Sequence, residues 1–263
     1  MGLFDKLRRN KNNGAAEERE QKSFGPIVGF VLLDSLDYSF DAFNRHLKEE
    51  WNLDPGTPAS PESLVFEVDG MKVVCGYMPA AIPNREVEEN CKYNFLWREA
   101  EQVVSRHKAH IIVSVLGYDD PVEGHKLFTK VASALLQTEQ AIAFYSAPMV
   151  MEASQYVDLA HALKDGELPV VLWVFIGMYQ GENGVGAYTA GLQSFGKDEL
   201  EVVNSAQSLG DVFEFMSIIA SFVIENDVTL KDGETIGFSA EQKLPLTRSA
   251  GVVAQGESIK IGY

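Results

Sequence analysis

The stretch LVFEVDGMKVVCGYM, residues 64–78, decides how the first part of this chain folds. Residues 64–68 and 72–78 are rich in β-branched and aromatic side chains, which favour strands. Asp69-Gly70 stands between them and tolerates the positive φ angles of a two-residue hairpin turn. The stretch therefore predicts two antiparallel strands joined by a tight turn.

Helices and strands alternate around this hairpin. Residues 27–33 are an apolar run of strand length, and Ser39 follows as the cap of an amphipathic helix. After the hairpin, Leu96 and Ala100 mark one face of a second helix, and residues 109–116 again have the composition of a strand. The resulting order, β-α-β-β-α-β, is typical of a split βαβ or ferredoxin-like unit.

The second part of the chain begins with a helix. Asp120-Pro121-Val122-Glu123 supplies a cap, a proline at the first helical position and a capping-box acid, which predicts a helix over 121–137. The apolar run 170–178 is expected to be a central strand, and Asn183-Gly184 a second hairpin turn.

The two parts repeat the same order of elements. We therefore expect an α/β (α+β) fold of two pseudo-duplicated split βαβ, ferredoxin-like units with mixed sheets, joined by the 121–137 helix. The predicted domain organisation is a flexible tail over 1–22 and a single folded region over 23–263, with halves at 23–118 and 138–263. The tail has six basic and four acidic residues and no long periodic apolar face.

Charge and hydropathy exclude several classes of function. The chain has 22 Lys and Arg against 38 Asp and Glu, a net charge of −16, which repels phosphate backbones and argues against a nucleic-acid partner. The longest apolar run, 170–178, is far shorter than the roughly 20 residues that span a bilayer, so we expect no integral membrane segment. The N-terminus lacks the apolar core of a secretory signal, which favours a cytoplasmic location.

One glycine-bearing segment approaches the spacing of a phosphate-binding loop. Gly191 and Gly196 are followed by Lys197, but Asp198 stands where a magnesium-binding hydroxyl is needed, and the acids after it disfavour phosphate. No cofactor is therefore expected. Two cysteines without CxxC spacing indicate ordinary reduced thiols.

Two small clusters are candidates for chemistry. Glu199 and Glu201 lie two residues apart, so on a strand both carboxylates face one side, as acid/base catalysis or a solvated strand face would require. With Lys197 beside them and His110 from the first part of the chain, they are the candidate catalytic residues. His107 and His110 are candidate metal ligands, although a helix end also suits a cationic His107 without a metal.

Several segments together resemble a known bacterial family. They comprise residues 81–83, 94–100, 107–115, 191–201 and 230–237. The chain is similar over these segments to the family called domain of unknown function 4261. The resemblance implies a shared fold from about residue 25 onward and implies no particular activity.

These observations favour a non-enzymatic intracellular interaction module, of the immunity or adaptor type, that binds a basic protein. The alternative is an enzyme, or a metal- or small-molecule-binding protein, that uses Lys197, Glu199 and Glu201. The acidic charge favours the first hypothesis, although the same charge also serves solubility alone.

Deletion of residues 1–22 should leave the thermal midpoint of unfolding unchanged, because this segment offers no extended apolar face to a core. Calorimetry of the full and shortened chains measures the effect. A fall of several degrees in the shortened chain would show that the tail packs on the folded region.

Overall fold

The structure is a computed structural model that describes residues 24–57, 60–92, 94–239 and 241–263. The described chain divides into two compact units, residues 24–175 and 176–263. It contains two six-stranded sheets with helices, which confirms the predicted α/β class. Among these residues, no helix is both long and apolar enough to cross a membrane. The tail predicted over 1–22 lies outside the described residues.

The first unit consists of one antiparallel sheet and five α-helices among its described residues. The strands are β1 (Ile27–Leu33), β2 (Ser63–Val68), β3 (Met71–Met78), β4 (Ala109–Leu116), β5 (Ala141–Ser146) and β6 (Met149–Glu152). The helices are α1 (Phe40–Trp51), α2 (Glu86–Cys91), α3 (Ala100–Val104), α4 (Pro121–Leu136) and α5 (Ala153–Ala160). The sheet order is β2-β3-β4-β1-β5-β6, and every neighbouring pair is antiparallel.

Local sequence signals in this unit form the expected structures. Asp69 and Gly70 have φ angles of 50° and 81° and join β2 to β3, as the hairpin prediction requires. The Ser39 side chain accepts a hydrogen bond from the Asp41 amide at the start of α1. The Asp120 side chain caps α4 in the same way. Each of these turns and caps is formed by residues only a few positions apart in sequence. It therefore forms irrespective of how distant segments pack.

One part of this unit's core lies around helices α1 and α4, and a second buried cluster joins strands of the sheet to helices α2 and α3. Helices α1 and α4 pack against each other, and α4 also contacts β1, β4 and β5. Phe43 and Leu47 of α1 and Val131 of α4 are completely buried, as is Val113 of β4. Helix α4 therefore belongs to the core of the first unit, whereas the sequence predicted a connection between two halves.

The strand order differs from the predicted split βαβ topology. That motif requires the two strands joined by a helix to run parallel, whereas the antiparallel pairs β1–β4, β4–β3 and β3–β2 place β1 and β2 in opposite directions. In addition, β5 pairs with β1, so the predicted second half, 138–263, does not form a sheet of its own. The order of elements along a chain does not determine which strands pair, and for this reason the sequence suggested a repeat.

The second unit contains a mixed sheet and one long helix. Its strands are β7 (Phe175–Gly181), β8 (Gly184–Ala190), β9 (Glu199–Ser205), β10 (Thr235–Ile236), β11 (Leu244–Ala250) and β12 (Glu257–Ile261), in the order β10-β11-β12-β9-β8-β7. Strand β9 pairs parallel with β12 and antiparallel with β8. Helix α6 (Leu209–Glu225) packs on β8 and β9.

The apolar run 170–178 is not a central strand. Its first residues, Val170–Leu172, form a buried 3₁₀ turn, and strand β7 begins only at Phe175 and lies at the edge of its sheet. The Trp173 indole nitrogen donates to the Thr129 hydroxyl at 2.8 Å within the first unit. Hydrophobicity alone cannot distinguish a buried turn from a buried strand.

Replacement of Gly184 by alanine should destabilise the second unit strongly. The second hairpin turn consists of Glu182 and Asn183, one residue earlier than predicted, because strand β8 already begins at Gly184. Gly184 has the predicted positive φ, 148°, and an added Cβ would overlap the Ser205 carbonyl oxygen. Gly196 also has a positive φ, 70°, but faces open space. Gly196→Ala should therefore lose roughly 1 kcal/mol of unfolding free energy, and Gly184→Ala roughly 3 kcal/mol. Equal urea midpoints for the two variants would contradict this packing.

Candidate functional site

The charged residues at 197–201 lie at the start of β9 and each contacts a different segment. The Lys197 ammonium donates to the Asp227 carboxylate at 2.7 Å and to the Thr229 hydroxyl at 3.4 Å, just beyond the end of α6. Asp198 accepts from the Arg248 guanidinium of β11, with 3.1 Å between Nε and Oδ2. The first two charges of the segment thus attach β9 to the chain after α6 and to β11.

Glu199 holds the glycine-bearing loop before β9. Its buried carboxylate accepts the Thr189 hydroxyl at 2.6 Å and the backbone N–H groups of Gly191 at 2.9 Å and Gln193 at 3.3 Å. Backbone N–H groups of such loops are the donors that cradle phosphates in nucleotide-binding proteins. Here a carboxylate of the same chain accepts hydrogen bonds from two such N–H groups.

Glu201 is completely buried and holds a second loop. Its carboxylate accepts the backbone N–H groups of Val252 at 3.0 Å, Val253 at 2.7 Å and Ala254 at 3.0 Å. The Ser258 hydroxyl donates a further hydrogen bond at 2.6 Å. Three consecutive N–H groups that point at one anion form a concave anion-binding arrangement of the backbone.

Lys260 completes the surroundings of Glu201. It is the register partner of Glu201 in the parallel β12–β9 pair, and its ammonium lies 3.0 Å from the carboxylate. The same ammonium donates to the carbonyl oxygens of Ser249 at 3.0 Å and Ala250 at 2.6 Å, so it also holds the end of β11. Glu201 and Lys260 together fix both strands of the β11–β12 hairpin to the central strand.

Hydrogen bonding keeps Glu201 ionised. Burial alone would raise the pKa of this carboxyl, but the hydrogen bonds from Ser258 and from the amides of residues 252–254 outweigh burial and lower the pKa from 4.5 to about 2. A carboxylate with so low a pKa is a poor proton acceptor near neutral pH.

Lys197, Glu199 and Glu201 therefore have separate sets of partners. Lys197 pairs with Asp227, whereas Glu201 pairs with Lys260, a residue that the sequence did not single out. Ser258 was missed in the same way. Ser258 and Lys260 lie two residues apart on β12, and this spacing was the available signal that both side chains face one side of the strand. Only the pairing of β12 with β9 identifies Glu201 as the carboxylate that they face. A catalytic role for Lys197, Glu199 and Glu201 stays a prediction, and it would have to operate within these contacts.

The histidine candidates lie in the first unit. His107 is buried, its Nδ1 contacts the Val104 carbonyl oxygen, and its Nε2 accepts the Ile82 amide at 2.9 Å. This pair of contacts fixes the neutral tautomer with the proton on Nδ1 and leaves His107 no lone pair for a metal. His110, on β4, donates from Nδ1 to the Ala80 carbonyl oxygen at 2.8 Å. Burial lowers the pKa of His110, which favours its neutral form near pH 7.

The described residues contain no group of three or more His, Cys, Asp or Glu side chains that could hold a metal ion. Both cysteines are free and buried. Burial raises the pKa of Cys75 to about 12. Burial, with a contribution from the charges of Glu101 and Glu88, raises the pKa of Cys91 to about 11. Both thiols are therefore protonated and weakly nucleophilic at neutral pH.

Comparison with known proteins confirms the suspected resemblance over the second unit. Residues 188–262 match the family described as Domain of unknown function (DUF4261). This stretch contains the segments 191–201 and 230–237, whereas the other similar segments, between residues 81 and 115, lie outside it. Neither a curated protein nor a solved structure matches the chain.

Glu201→Gln should destabilise the protein by roughly 3 kcal/mol at pH 7, because it leaves Lys260 and the amides of residues 252–254 without the buried carboxylate. The pKa of Glu201 is lowered on folding, so its stabilising contribution is complete above pH 5 and disappears as the pH falls from about 5 to 2. The free-energy difference between wild type and variant, measured by urea unfolding, should shrink over that range.

Glu214→Gln, which removes an exposed carboxylate of α6, is the matched control and should leave stability nearly unchanged. A pH-independent difference between Glu201→Gln and wild type would contradict the assignment of Glu201 as an ionised, buried group.

Proposed function

We propose that this protein is a non-enzymatic interaction module, of the immunity or adaptor type, that binds a basic protein partner. The observation that carries the proposal is the acidic excess of both units. Residues 24–175 hold 11 Lys and Arg against 22 Asp and Glu, and residues 176–263 hold 5 against 12. An excess spread over both units attracts a basic surface from a distance and speeds the encounter with it.

The internal hydrogen bonds of the buried carboxylates support the same proposal. Within the described ranges, Glu199 and Glu201 are the buried acids, and each accepts several hydrogen bonds from its own unit. Many other acids are exposed. Glu62, Glu67 and Glu152, for example, take part in none of the ion pairs among the described residues. Exposed and uncompensated carboxylates are available to a partner without breaking internal contacts.

The exposed ion pairs add little to the folded state. Lys48–Asp54 and Arg85–Glu101 have side chains more than half exposed. Each such pair contributes about 0–1 kcal/mol and is screened by salt. The surface charge therefore serves solubility and recognition more than stability.

A pulldown from native lysate at low ionic strength should enrich one specific basic protein. Its association rate with the purified chain should fall markedly between roughly 50 and 500 mM salt, because the screening length shortens. Stopped-flow measurement of the association rate provides the readout. Non-specific attraction would instead recover many basic proteins together.

A different outcome would favour the competing hypothesis of an enzyme or a metal- or small-molecule-binding protein. If no selective partner is recovered, and Glu199→Gln or Lys197→Ala abolishes calorimetric binding of a metal or small molecule, the interaction proposal is wrong. Residues 195–201 would then be the candidate active site.

A further inference from the structure

A groove of about 540 Å³ opens on the surface of the first unit. Its walls come from the end of α3, the end of α4, the start of β5 and the first turns of α5. The floor is apolar and consists of Val103, Leu136, Ala141, Ile142, Ala153 and Val157. Pockets of several hundred Å³ that combine apolar side chains with polar groups are a usual form of binding site.

The rim of the groove is polar and carries more negative than positive charge. Its charged residues are Glu152, Asp158 and Arg106, all three exposed, and none belongs to an ion pair among the described residues. The other polar residues are Ser154 and Gln137. Gln137 donates to the Glu50 carboxylate at 2.6 Å.

The groove offers two kinds of contact at once. A side chain that covers its floor removes apolar surface of both partners from water, which favours association. Glu152 lies directly before α5 and Asp158 lies in its second half, and each can pair with a cation of the same ligand. A ligand that combines apolar and basic side chains therefore matches both the floor and the rim.

An anionic ligand matches the groove less well. Arg106 and the N-terminal end of α5 attract anions, but Glu152 stands directly before that helix end and Asp158 adds a second negative charge. Two carboxylates outweigh one guanidinium and a partial helix charge.

We propose that this groove is the docking site for a basic segment of the partner, with apolar side chains on the floor and Lys or Arg side chains at Glu152 and Asp158. The inference rests on the proposed function and assigns its recognition site. The Arg106 guanidinium repels the cations of such a ligand. Neutralising Arg106 should therefore strengthen binding, whereas replacing the two acids should weaken it.

Fluorescence anisotropy with the full chain tests the site. The probe is a short labelled peptide in which leucine alternates with arginine, and a second peptide has glutamine in place of leucine. The double variant Glu152→Lys/Asp158→Lys should bind the first peptide at least roughly tenfold more weakly than wild type, because it turns two attractions into repulsions. Arg106→Gln should bind it severalfold more tightly. The glutamine peptide should bind wild type more weakly.

Glu62→Lys/Glu67→Lys is the matched control. It changes the net charge by the same amount on and beside β2, at the opposite edge of the sheet from β6. It should weaken binding much less than the groove variant. Thermal unfolding of each variant confirms that these exposed substitutions leave the unit folded.

Equal weakening by the two double variants would overturn the groove assignment and leave the proposed function standing, because peptide binding would then reflect overall charge. If the leucine–arginine peptide fails to bind wild type while the pulldown partner binds, the groove assignment is likewise overturned and the proposed function stands. Saturable binding of inorganic phosphate that Arg106→Gln abolishes would show an anion site instead. Tighter peptide binding after deletion of residues 1–22 would identify the chain's own basic N-terminal segment as the occupant, which would overturn the assignment to a partner.

Discussion

The buried carboxylate of Glu201 connects the central strand of the second sheet to the β11–β12 hairpin. A fully buried charge costs several kcal/mol in desolvation unless its surroundings replace the lost water. Three consecutive backbone amides, the Ser258 hydroxyl and the Lys260 ammonium do so here. Because the donors come from the β11–β12 hairpin and the acceptor from β9, satisfying the charge also fixes the parallel β12–β9 pair. A single carboxylate thereby joins two parts of the chain that are far apart in sequence.

The same logic extends to the residues beside Glu201. Lys197 and Glu199 each bind a different segment. The charged residues at 197–201 therefore hold the neighbouring loops against the central strand β9. The match to the family of unknown function covers 188–262 and contains all of these contacts. The resemblance thus indicates an architecture more than a chemistry. The proposed recognition of a basic partner relies instead on acids that are exposed and uncompensated, including those at the rim of the groove beside α5.

Sequence reasoning succeeded where the interaction is local. The Asp69-Gly70 turn and the Ser39 and Asp120 caps follow from the conformational preferences of a few adjacent residues. It failed where distant parts of the chain decide the outcome. The order of elements suggested a duplicated topology, but strand pairing assigned β5 to the first sheet. The spacing of Glu199 and Glu201 predicted carboxylates on one side of a strand, yet it could not identify Lys260 as the partner, because the parallel pairing of β9 with β12 brings the two together.

Amide hydrogen exchange tests the central claim, that the Glu201 carboxylate holds residues 252–254, most directly. In wild type the amides of these residues should be strongly protected although their side chains lie on an exposed loop. In Glu201→Gln their protection should fall by orders of magnitude, while the amides of β4 in the first unit keep theirs. Equally fast exchange of these loop amides in wild type and variant would contradict the account.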